Sequence, residues 1–399
     1  MQKIISFLIL FIAISIFPAS GQTKPEFRGV WVATVDNIDW PSAGNFNSDL
    51  QKEEFIKLLN MHQRNGINAL IVQIRPCTDA FYPSPFEPWS QWLTGKQGQP
   101  PYPYYDPLQF MIAETHKHGM SFHAWMNPYR AVFNIGHSVI SATHITRLHP
   151  SWFLNYGDKT YFDPGNKEAQ QYVASVVKDV VSRYDIDAIH FDDYFYPYRL
   201  AGKEFPDDVS YRQNGNGLSK NDWRRSNTDS IIASLSRVIK VSNSKCQFGI
   251  SPFGIWRNIA KDPDGSNTNG GVTNYDDLYA DILLWLKSGW IDYVAPQIYW
   301  EFSQKNAPYQ ALLDWWNDHT YGRQCYIGLG IYKANTNQAW RDHNLIPRQI
   351  DSLRSKKNIQ GMIFFSSKSF DNNPNGWSDS LRLHYFKEPA TIPVMEWLK

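Results

Sequence analysis

In the stretch AIHFDDYFYPY (188–198) an apolar run ends in two adjacent carboxylates, Asp192 and Asp193, followed by aromatics and a proline. A fixed carboxylate at the end of a buried strand could be half of an acid–base machine, which works with two carboxylates of separated pKa values. Glycoside hydrolysis usually needs that combination. One carboxyl protonates the departing oxygen, and the other attacks the anomeric carbon or activates water. The plain alternative is a loop that caps the next helix, so the surroundings of the pair decide its meaning.

Further candidates lie in the run RPCTDAFYPSPFEPWSQWLTG (75–95), which holds Asp79, Glu87, Trp89 and Trp92. Glu87 stands between Phe86 and Pro88-Trp89, and desolvation by such neighbours would raise its pKa as a general acid requires. Glu301, after the triplet IYW, is a third carboxylate of similar standing. Asp36 and Asp39 in VDNIDWPS read as a turn. No HExxH or comparable His/Asp cluster points to a metal, and no GxSxG elbow or phosphate loop is present. No cofactor is expected.

These groups need a scaffold. Eight apolar runs recur at 27–34, 69–76, 121–129, 188–196, 247–254, 293–300, 326–333 and 361–370. Between them lie stretches with apolar positions at helical spacing, among them 49–64, 107–118, 167–184, 223–241 and 276–287. Continuous apolar strands alternating with helices predict a single α/β (β/α)8 TIM barrel, whose strands are covered on both faces. A doubly wound open sheet is the competitor, but no glycine-rich phosphate turn follows the first strand. Helix-to-strand connections are short, whereas the strand-to-helix segments 77–106, 130–166, 199–222 and 255–275 are long. In a barrel all of the long ones lie at the C-terminal ends of the strands, where barrel active sites are built.

Alternation along the fourth strand places His190 and Asp192 inward, with Ile189 and Phe191 facing the helices. His123 and His190 read as hydrogen-bonded barrel residues rather than metal ligands. The same rim is expected to gather Arg75, Trp125, Asn127, Tyr194, Gln297, Tyr299, Trp300 and Ser366. An inward arginine near carboxylates is usually their charge partner; otherwise Arg75 would grip a substrate carboxylate or acetamido group. The groove is expected to be walled by Trp89, Trp92, Trp125 and Trp300, since sugar rings stack on aromatic faces.

Charge is almost balanced, 39 Lys and Arg against 38 Asp and Glu, which gives no electrostatic reason to expect nucleic acid. The 16 Trp and 22 Tyr suit either a core or a carbohydrate ligand. The N-terminal MQKIISFLILFIAISIFPASGQ has an early lysine, a short apolar run and small residues at Ala19 to Gly21. It reads as a secretory signal over 1–21, with a mature barrel over 22–399 that is periplasmic or extracellular and has no membrane span. The three cysteines, Cys77, Cys246 and Cys325, are expected to be free and buried. Oligomeric state leaves no signal.

The segments EFRGVWVATVDNIDWPS, QIRPCTDAFYPSPFEPWSQWLTG, HAWMNPYR, FDDYFYPY and APQIYWEF together resemble the glycosyl hydrolase-like 10 family of exported bacterial proteins. The resemblance covers 26–386, with motifs at strand ends 1, 2, 3, 4 and 6. It implies a barrel glycosidase acting on bacterial cell-wall glycan, particularly strands stripped of their stem peptides. The matching loops carry Asp79, Glu87, Asp192 and Asp193, which therefore rank above Glu301. The resulting expectation has Asp192 as the fixed carboxylate of the cleft floor, Glu87 as its protonated partner, and Asp193 and Asp79 assisting. A hydrolase of another polysaccharide and an inert glycan-binding barrel are the alternatives.

Overall fold

The computed structural model describes residues 25–398, so the expected signal at 1–21 lies outside the described residues. Eight parallel strands close into a barrel: β1 (Phe27–Val32), β2 (Ala69–Arg75), β3 (Ser121–Met126), β4 (Ala188–Phe191), β5 (Gln247–Ile250), β6 (Tyr293–Val294), β7 (Gln324–Leu329) and β8 (Gly361–Phe364). They pair in chain order, and β8 closes on β1 with Phe27 opposite Gly361. The (β/α)8 barrel expected from the alternating pattern is the fold observed.

The outer ring comprises α1 (Ser48–Arg64), α2 (Pro107–Lys117), α3 (Lys167–Arg183), α4 (Lys220–Ser242), α5 (Ile282–Lys287), α6 (Tyr309–Asp318), α7 (Leu345–Arg354) and α8 (Trp377–Ser380). Local chemistry sets their starts. Asn47 accepts from the backbone N–H groups of Asp49 and Leu50, Asp106 from that of Gln109, and Asn166 from that of Ala169. The stretch 276–287, expected to be one helix, is instead a short turn of helix at Asn274–Asp277 followed by α5.

Inside the barrel, Phe27, Trp31, Ala69, Ile71, Trp125, Ala188, Tyr293, Tyr326 and Ile363 form one apolar cluster. Outside it, Ile189, Phe191 and their counterparts pack against the helices in a larger core. The parity expected for β4 therefore holds. Gly249 in β5 belongs to the inward set, and a Cβ there would sit 1.9 Å from the Tyr293 ring, so glycine is what lets that tyrosine cross the barrel.

Two departures from plain alternation matter. The register between β2 and β3 slips between Gln73 and Arg75, an irregularity that re-aims the strand end. The segment after β3 is not all loop: Arg130–Val132, Phe153–Tyr156 and Lys159–Phe162 form a three-stranded antiparallel sheet over the barrel's C-terminal end. At the opposite end the C-terminal tail packs Ile392, Met395 and Leu398 against the inner cluster. It is tied there by Glu26 N–H to Thr391 O and by Trp397 Nε1 to an Asp292 carboxylate oxygen.

Candidate active site

A cleft of ≈ 470 Å³ opens at the C-terminal ends of the strands, a size that accommodates a small ligand. Its floor is Trp31, Gln73, Trp125, Asp192 and Ser251, and its walls include Phe133, Tyr194, Tyr198, Phe253, Tyr299, Trp300 and Phe365. Trp31, His190, Tyr293 and His123 form a hydrogen-bonded chain beneath it. The Trp31 indole donates to His190 Nε2 at 3.2 Å, and the Tyr293 hydroxyl lies 2.8 Å from Nδ1 of both histidines. Because an indole N–H can only donate, His190 Nε2 must accept, so the ring is neutral with its proton on Nδ1. Burial agrees, pushing the His190 pKa well below its ordinary value.

Asp192 and Asp193 are buried side by side on this floor, at 4% and 3% exposure. Their surroundings differ in sign. Asp192 accepts from Trp125 Nε1 at 3.1 Å and from Asn127 Nδ2 at 3.0 Å, and Asn127 is itself held by Arg130 N–H at 2.7 Å. Burial raises the Asp192 pKa, but the Arg130 guanidinium, Asn127 and Trp125 all favour its charged form. Asp193 has no such cation. Desolvation, then the neighbouring charge of Asp192, push it up to about 7, against opposing hydrogen bonds from Tyr198 and Gln297. Two adjacent carboxylates cannot both ionise cheaply in a dry site. These surroundings favour the proton on Asp193 and the charge on Asp192.

A closed barrel with two buried carboxyls in unlike surroundings on its strand-end floor suits glycoside hydrolysis, and comparison with known proteins points the same way. The glycosyl hydrolase-like 10 family model matches residues 26–344. The chain belongs to that family. It is 47% identical to glycosyl hydrolase YngK of Bacillus subtilis, covering 100% of this chain and 80% of that one. It is 39% identical to glycosyl hydrolase DigH of Escherichia coli K12, over 87% of this chain and 84% of that one. Among solved structures, the PgaB (BpsB) glycoside hydrolase domain of Bordetella bronchiseptica superposes with a TM-score of 0.57 at 13% identity, covering 90% of this chain and 98% of that domain. The β-amylase catalytic domain of Paenibacillus polymyxa gives 0.55 at 12%, covering 92% and 99%. At such identities these two likenesses speak for the barrel fold alone. Family membership makes the protein a glycoside hydrolase.

Within this family member the expected site residues divide. Asp192, Asp193, Trp125, Tyr194, Gln297, Tyr299 and Trp300 line the cleft. Asn127 stands behind Asp192 and orients it. The strand 2 motif, by contrast, turns away. Arg75 grips Glu87 with Nε at 2.8 Å and Nη2 at 2.5 Å and donates to the Asn127 carbonyl oxygen at 2.6 Å, both side chains being fully buried. Arg75 ends β2, where the register with β3 slips, and its guanidinium pairs with Glu87 inside the strand 2 loop. Glu87 therefore does not reach the cleft as the protonated partner expected of it. Asp79 is buried in the same loop, accepting from Cys77 N–H and Gln97, with its pKa raised by desolvation to about 7, and it too stays outside the lining. Trp92 packs edge-on against Phe133, Trp89 borders a separate shallow hollow, and Glu301 accepts from the Trp340 indole. Ser366 donates to Asp39, whose pKa burial lifts to about 6.

Among the cleft residues that the sequence left unassigned are Trp31, Asp36, Arg130, Tyr198 and Lys333. Trp31 shares the two-residue period of Phe27, and Arg130, Tyr198 and Lys333 close the runs HAWMNPYR, FDDYFYPY and YIGLGIYK. Position at the end of a barrel strand was the signal available for them.

Proposed function

We propose that this glycoside hydrolase cleaves the glycan strands of peptidoglycan from which the stem peptides have been removed, and that the expected secretory signal places it outside the cytoplasm to do so. The observation that carries the chemistry is the opposed environment of Asp192 and Asp193. In this reading Asp193 gives its proton to the glycosidic oxygen as the bond from that oxygen to the anomeric carbon breaks. Asp192, ionised and fixed by Trp125 and Asn127, faces the positive charge that develops on the sugar, and water then adds to the anomeric carbon and returns a proton to Asp193. The aromatic walls supply faces for sugar rings, and the strand-end location is where barrel enzymes keep their chemistry. Among the described residues no helix is long and apolar enough to cross a membrane.

The test is digestion of purified sacculi, intact and amidase-stripped, with released fragments identified by mass spectrometry. Release of saccharides from stripped strands by the wild type, lost in Asp193→Asn, is the expected result. Absence of any glycan product from either preparation would remove the proposal.

A further inference from the structure

The cleft is lined by five ionisable groups of formal charge: Asp36, Arg130, Asp192, Asp193 and Lys333. Four have an evident place. Arg130 balances Asp192 and is held by the Pro76 carbonyl oxygen, Asp193 accepts from the Tyr198 hydroxyl beside Asp192, and Asp36 stands exposed at the mouth. Lys333 is left over. It follows β7, across the barrel from β3 and its Arg130, and is half-buried. Its Nζ donates to the Tyr299 carbonyl oxygen at 2.7 Å, which fixes the ammonium at the cleft wall, and no carboxylate of the described residues forms an ion pair with it. An ammonium has three N–H donors, so two remain for a ligand. Burial lowers its pKa, with Glu301 opposing from beyond ion-pair distance. The Tyr299 carbonyl oxygen and the Tyr332 ring, 6.0 Å from Nζ, offset part of the cost of holding a cation in a half-dry wall, but no carboxylate among the described residues pairs with it.

Beside it lies an aromatic platform. The rings of Tyr299, Tyr332 and Phe365 are mutually 5.8 to 6.1 Å apart, and all three line the cleft. Tyr332 is 48% exposed, an uncovered face at the mouth. An aromatic corner, in which Tyr332 stands at 82° to both Tyr299 and Phe365, with an ammonium at its edge that no carboxylate pairs, has the chemistry to bind a sugar ring bearing an anionic substituent.

We propose that Lys333 and this platform form a subsite for a sugar carrying a free carboxylate, so that the enzyme reads the lactyl acid of the glycan strand. The inference rests on the peptidoglycan reading above and deepens it. In an intact wall that carboxylate is consumed in the amide bond to the stem peptide; removing the peptide restores the anion. Lys333 would then be the element that separates stripped strands from substituted ones. It is a binding residue, outside the reacting pair.

The experiment compares stripped strands with the same strands whose carboxyls are capped as methylamides, which removes the charge at nearly constant size. Wild-type kcat/KM is expected to favour the free acid by at least ~10-fold, the scale of one partly solvated charge-assisted contact. Lys333→Met, which keeps the stem and removes the charge, should bring that ratio towards one through a higher KM for the acidic strand. Lys333→Arg should restore most of the ratio. Equal wild-type turnover of both strands, or an unchanged ratio in Lys333→Met, overturns the subsite while leaving the glycan reading intact. No turnover of either strand removes the peptidoglycan reading and the subsite with it.

Discussion

At the scale of single residues, the proposed division of labour between Asp192 and Asp193 makes distinct demands on substitution. Asp193→Asn removes the proton donor and Asp192→Asn the fixed charge. Each should lower kcat by at least ~10²-fold, the lower range for positioned acid–base groups, with folding retained on circular dichroism. Because Asp193 must be protonated and is held at about 7, kcat/KM should fall as pH rises through that value. Tyr198 donates to the Asp193 carboxylate and so favours its ionised form. Tyr198→Phe removes that preference, raises the pKa, and should move the alkaline limb to higher pH; a limb that stays put would assign it to another group. Glu87 behaves differently. Glu87→Gln leaves the buried Arg75 guanidinium without its counter-charge, a loss on the order of 3–5 kcal/mol for broken buried pairs. A urea titration should show the destabilisation, while the folded fraction keeps its specific activity.

At the scale of elements, strand and helix order were legible from the sequence because continuous apolar runs and helical spacing differ in period. What alternation could not carry was a break in alternation. The slip between Gln73 and Arg75 takes the strand 2 motif out of the cleft, and with it Glu87, which looked like a desolvated acid because its buried charge partner was twelve residues away. Pairing in the segment after β3 was equally hidden, since three short strands of four residues or fewer leave little pattern. That small sheet presents Phe133, just beyond Arg130–Val132, to the cleft wall. The tail is a separable element. Its removal from residue 389 onwards uncovers the inner cluster at Ile392 and Met395 and leaves the Asp292 carboxylate without the Trp397 indole. Thermal unfolding should then occur at lower temperature, whereas KM, set at the far end of the barrel, should not change.

For the whole molecule, two sets of buried groups pull the pH dependence of stability in opposite directions. Asp39, at about 6, and Asp79, Asp193 and Asp229, at about 7, hold protons that the unfolded chain releases near its ordinary carboxyl range. They make stability fall as pH rises from about 4 to about 7. His62, at about 3, and His123 and His144, at about 4, refuse protons that the unfolded chain takes up below about 6.5, so their contribution is lost as pH falls below that point. The two trends offset between about pH 4 and 6.5, and the carboxyls act alone just above it. Melting temperature should therefore be nearly level across the acidic range and decline between about 6.5 and 7.5, with a smaller decline in Asp193→Asn. A different property follows from where the tail packs. The tail lies against the base of the barrel and the cleft opens at the other end, so a linker fused after residue 398 emerges on the side away from the substrate. Fixed to a bead or electrode by such a linker, the protein would face its mouth outward and accept long polymers from solution; attachment through Tyr332 or its neighbours would turn that mouth to the solid and exclude them.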